Sequence, residues 1–93
     1  MDPQAVQKIR HSVETARQAV RAARLNNCDV GDVDDAIEAV SQQLDSPHPN
    51  ANTLTLYLNS LARSLFSIPE ARAACDEIDA ALRSAGLPAT WEQ

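Results

Sequence analysis

Histidine, cysteine and carboxylate side chains are the groups that could hold a metal or move a proton, and here their spacing supports neither. His11, His48, Cys28 and Cys75 fall on four separate segments with none of the paired spacings of a zinc site. A window from Asn27 to Glu38 puts Asp29, Gly31, Asp35 and Glu38 at ligand positions of a calcium loop. The position that needs glycine for the sharp turn is Asp32, however, and the usually apolar one two residues on is Asp34. The acidic run reads better as the start of a helix, where carboxylates are stabilised by the positive end of the dipole.

Catalytic patterns are equally sparse. The chain has no Gly-rich phosphate loop, no nucleophile elbow and no histidine paired with a carboxylate at helical spacing. Cys75 lies on an apolar stripe, where a free cysteine behaves as a small hydrophobe. Cys28 has acidic neighbours, which raise a thiol pKa. These readings predict a protein that is not an enzyme and has no catalytic residue, metal or cofactor.

Charge is the informative polar feature. The net charge is -5 and the pI about 4.7, unsuited to nonspecific attraction to nucleic acid or an anionic membrane. Its distribution is uneven: Lys8, Arg10, Arg17, Arg21 and Arg24 dominate the first segment, against Asp2 and Glu14. Asp29, Asp32, Asp34, Asp35, Glu38 and Asp45 follow with no base among them. Arg10, Arg17 and Arg24 recur every seven residues beside an apolar seam. They read as partners for carboxylates across a helix pair, with a phosphate- or partner-binding stripe as the alternative. A DNA-reading helix-turn-helix is disfavoured, because its recognition helix would carry acids toward phosphate.

The elements that must carry these residues are helices. A chain of 93 residues fits one domain with a modest core. Apolar residues make up 44% and aromatics only 3%, so that core must be aliphatic. Asp2-Pro3 caps a first helix over 3–26, with Val6, Ile9, Val13, Ala16, Val20 and Ala23 on one stripe and Asn26-Asn27 at its end. Asp29 or Asp32 caps a second over 30–44, carrying Val30, Val33, Ile37, Val40 and Leu44. Pro47 and Pro49 brace a loop, and Asn50 or Asn52 caps a third helix over 51–66.

That third segment is unusual. From Ser46 to Ala62 it holds no Asp, Glu, Lys or Arg, although these make up 23% of the chain. Its alternation Thr53-Leu54-Thr55-Leu56-Tyr57-Leu58 also fits a strand by period, but no second strand candidate exists to pair with it. Ser67-Ile68-Pro69-Glu70 has the form of a capping box for a fourth helix over 68–85, whose seam is Ala71, Cys75, Ile78, Leu82 and Ala85. Gly86, Leu87 and Pro88 spell a Schellman stop. The expected fold is an all-α, antiparallel four-helix bundle of two hairpins: one domain over 1–88 and a short tail over 89–93.

Trp91 in that tail either tucks into a gap between helix ends or is displayed as an anchor. Leu56, Tyr57 and Phe66 are the apolar residues that the neighbouring helices could leave uncovered.

With no basic and apolar leader, no run of ~20 apolar residues and no disulfide framework, the sequence reads as cytoplasmic. Seven arginines to one lysine and abundant alanine point to GC-rich bacterial coding. The expected function is that of an adaptor, small chaperone or regulatory subunit binding a protein partner through an apolar helix face. The contacts would come from Leu56, Tyr57, Phe66 and Trp91. The alternative is an acidic inhibitor using Asp32, Asp34, Asp35 and Glu38 against a basic, nucleic-acid-binding surface of its target. Both readings involve another protein and neither nucleic acid nor membrane directly. Monomer and homodimer both remain open.

Overall fold

The computed structural model describes residues 3–23 and 27–91, except for the side chains of 27–30 and 32. The described residues form four α-helices packed against one another and no strand: α1 (Pro3–Ala22), α2 (Asn27–Asp45), α3 (Ala51–Phe66) and α4 (Arg72–Ser84). Each helix packs on its sequence neighbours, and α4 closes the bundle by packing on α1. At ~1.5 Å per residue α1 is about 30 Å long, so it runs most of the 34 Å principal axis.

The aliphatic seams become the core. Ile9, Val13, Ala16 and Val20 of α1 meet Val33, Ile37, Val40 and Leu44 of α2, Leu54, Leu58, Leu61 and Leu65 of α3, and Cys75, Ile78 and Leu82 of α4. Val6 and Ala23 sit at its edge, partly buried. Alanines at 62, 71, 74 and 81 are buried as well and let the helix backbones approach closely. The Cys75 thiol donates to the Ala62 carbonyl at 3.3 Å, so this cysteine packs between α3 and α4.

Helix ends follow local chemistry, with three departures from the sequence reading. Asn50 caps α3: its Oδ1 accepts from the Thr53 amide at 3.0 Å, and its own amide donates to Gln43 Oε1. The α4 stop is a Schellman motif, with Gly86 at φ +73, its amide on Arg83 O and the Leu87 amide on Leu82 O. The capping box at Ser67 does not form. Ser67 is the C-cap of α3 and its hydroxyl donates to the Ser64 carbonyl, so it is engaged by the helix behind it. Pro69 then opens a 3-10 turn, Pro69–Ala71, before α4 begins at Arg72.

The second departure is the start of α2, which lies at Asn27 and not at residue 30. Asp29 and Asp32 are therefore inside the helix, and the window read as a calcium loop is helical from end to end. The first helix, expected to run to residue 26, ends at Ala22, and Asn27, read as part of its C-terminal stop, instead opens α2. The expected caps at Asp2 and Asn26 lie outside the described residues.

Candidate functional site

The third helix presents two unlike faces. At ~100° per residue, Leu54, Leu58, Leu61 and Leu65 fall within about 60° of one another and point into the bundle. Leu56 stands on the opposite crown, 66% exposed. Tyr57, 36% exposed, and Phe66, 50% exposed, lie on opposite shoulders, about 14 Å apart along the axis. The three exposed apolar residues are thus not one contiguous patch.

The Phe66 shoulder is organised by the C-terminal tail. Asn59, a polar residue only 6% exposed, grips the tail with both ends of its amide. Its Nδ2 donates to the Pro88 carbonyl at 2.9 Å and to Thr55 O in its own helix at 2.8 Å. Its Oδ1 accepts from the amides of Thr90 at 2.7 Å and Trp91 at 3.1 Å. Every hydrogen-bonding position of the side chain is used, which is how a buried amide avoids a desolvation penalty.

Held this way, Trp91 packs into the core cluster and is 8% exposed. Its ring lies 5.5 Å from that of Phe66 at an interplanar angle of 49°, and its Nε1 donates to Asp79 Oδ1 at 3.1 Å. Asp79 Oδ2 accepts from Arg83 Nε at 2.9 Å. Chiefly this Arg83 bond, and then the Trp91 bond, hold the Asp79 carboxyl below its ordinary 3.8 against the opposing effect of partial burial. Arg72 covers the outer side of Phe66, with Cζ 4.9 Å from the ring centroid.

Between the crown of α3 and the tail runs a groove bordered by Asn52, Leu56, Asn59, Ser60, Arg63 and Thr90. Its charged member is Arg63, at one end. The exposed positions of α3 up to that point, Ala51, Asn52, Leu56, Tyr57 and Ser60, are all uncharged. The outward faces of the other helices differ: Lys8, Arg10, Glu14 and Arg21 on α1, Asp34, Asp35 and Glu38 on α2, and Arg72, Asp76 and Arg83 on α4.

The structure therefore brings Phe66 and Trp91 together on one shoulder of α3, with Trp91 as a buried support, and leaves Leu56 on the crown and Tyr57 on the other shoulder, apart from that pair. Asp34, Asp35 and Glu38 are exposed on α2, and the Asp32 side chain lies outside the described residues. Asp34 and Glu38 line a cleft together with Arg17, Arg21 and Ser41, so this acidic surface lies beside basic groups. Arg10 pairs with Asp45 across α1 and α2 at 2.7 Å, and Arg17 pairs with Glu14 in its own helix at 3.3 Å. Arg24 lies outside the described residues.

Asn59 and Asp79 went unnoticed in the sequence. An asparagine inside an apolar helical stretch is a usable signal, because asparagine favours turns and caps unless its amide has a fixed partner. Among the described residues no group of three or more His, Cys, Asp or Glu side chains could hold a metal, and no helix is long and apolar enough to cross a membrane. Neither a protein-family model, nor a curated protein, nor a solved structure matches the chain.

Proposed function

We propose that the protein is a non-enzymatic interaction module whose outer α3 face, from Asn52 to Arg63 and bounded by the tail, receives a segment of a protein partner. The observation that carries this reading is the crown of α3, which bears no charge from Ala51 to Ala62 and a single one, Arg63, at its end. Three turns of exposed helix bear no charge while every other outward face bears several, and depletion of charge marks the centre of a protein interface. A face that only had to be solvated would be expected to carry charge. Leu56 supplies the apolar anchor, Ser60 and Asn52 supply hydrogen-bonding edges, and Arg63 sets one end of the groove. The docked tail gives the groove a fixed wall, which lowers the ordering cost of binding.

The acidic α2 surface is the competing interaction site, and the two respond differently to salt. The test is affinity capture from the source cell at low and high ionic strength, using wild type, Leu56→Arg, and a variant combining Asp34→Asn, Asp35→Asn and Glu38→Gln. A partner held by α3 should be retained at high salt and by the neutralised variant. Leu56→Arg should weaken its binding by about 30-fold or more, the loss expected at an interface hot spot. Capture that survives Leu56→Arg but disappears with salt and with the neutralised variant would instead assign an acidic inhibitor.

A further inference from the structure

The C-terminal tail takes part in two structures at once. Asn59 and Thr90 both line the groove beside α3, and the same two residues form the clasp, with the Thr90 amide on Asn59 Oδ1 at 2.7 Å. Thr90 is the one lining residue that does not belong to α3; the others all fall between Asn52 and Arg63. The outer face of a single helix is a convex cylinder, so the groove is concave only while the tail lies against it. Its second wall is a segment that can leave.

The α4 stop fixes the Leu87 amide to Leu82 O, so residues 88–91 form a strap that hinges after Leu87. Beyond the hinge the strap is held by three Asn59 hydrogen bonds, by the indole bond to Asp79 and by the burial of Trp91. Ordering the four residues opposes these contacts and leaves the docked strap ahead by only about 30-fold. Docked and released states are thus close enough for modest perturbations to exchange them. We infer that the strap over 88–91 gates the α3 groove: docked, it completes the concave surface, and released, it leaves a convex helix face that holds no partner segment. This gate rests on the function proposed for the groove and adds its control. Binding and docking are then linked, so a partner seated in the groove also tightens the strap.

The test acts on the strap through Trp91, which is not among the groove's lining residues. The partner is first identified from its adduct with the full chain carrying a photoreactive amino acid at Leu56, then purified and titrated against unlabelled protein. Trp91→Ala forfeits the indole burial and leaves the strap mostly released. Its apparent Kd for the partner should therefore rise about tenfold or more, in proportion to the lost docked fraction. Val13→Ala, which loosens the core from α1, should leave that Kd unchanged. In wild type, saturating partner should slow hydrogen exchange at the Thr90 and Trp91 amides. Equal affinity for wild type and Trp91→Ala, an equal loss in Val13→Ala, or no added protection of those two amides would overturn the gate while leaving the groove as a binding site. No adduct from wild type would remove the proposed function and the gate with it.

Discussion

Replacing Asn59 with alanine should release the tail while leaving the bundle folded. Burying an aromatic ring such as Trp91 removes ~150–250 Å² from water, worth about 4–6 kcal/mol at ~25 cal/mol per Å². The three Asn59 hydrogen bonds to residues 88–91 contribute about 3 kcal/mol together at ~1 kcal/mol each. Fixing those four residues costs about 4–8 kcal/mol of conformational entropy. Docking is therefore favourable by only about 2 kcal/mol, less than the Asn59 bonds supply. Without them the amides of Thr90 and Trp91 would be covered and unpaired, and the tail should leave.

The chain has a single tryptophan, so fluorescence reports on Trp91 alone. In wild type the emission should be blue-shifted and poorly quenched by iodide, and in Asn59→Ala it should approach that of free indole. Stability should fall by about 2 kcal/mol, a Tm loss of about 8–16 °C, because no more than the docking energy can be lost. Trp91→Ala should cost a similar amount, and the double variant little more than either alone, since both act through one docking event. A blue-shifted emission in Asn59→Ala, or strictly additive losses, would refute the clasp.

Other perturbations probe the rest of the fold. Leu58→Ala and Leu61→Ala, at fully buried positions, should each cost about 2–5 kcal/mol in denaturant unfolding, whereas Leu56→Ala should stay within ~0.5 kcal/mol. Gly86→Ala should cost about 1–2 kcal/mol; its new Cβ would meet no atom within 4 Å, so the loss is the strain of φ +73 alone. Because Asp79 is held below 3.8, its contribution is fully present above the ordinary carboxylate range and is lost as pH falls through its lowered value. Trp91 emission should accordingly shift red in acid, and Asp79→Asn should remove the part of that transition due to the indole contact.

The helices were legible because each carries one apolar stripe at a spacing of three and four, and the same residues, from Ile9 to Leu82, fill the core. The Gly86 stop was legible for a local reason, since a glycine followed by leucine and proline leaves the chain few alternatives. Ser67 misled because a serine between two helices can serve either, and the pattern Ser-x-x-Glu does not say which. The α3 face was only half readable. Its lack of charge is plain in the sequence, but grouping Leu56, Tyr57 and Phe66 overlooked that 100° per residue puts Tyr57 and Phe66 on opposite shoulders. The clasp was not legible, because Asn59 meets Thr90 and Trp91 across some thirty residues, and no local pattern encodes that contact.

Photo-cross-linking from defined positions tests the proposed interaction surface most directly. A photoreactive amino acid would be placed at Leu56 or Ser60 on the crown of α3, and at Asp35 on the acidic face of α2, and the protein irradiated in lysate of its source cell. A partner seated on the uncharged crown predicts one adduct common to positions 56 and 60 and absent from position 35. An adduct from position 35 with none from 56 or 60 would contradict the proposal and place the interaction on the acidic helix.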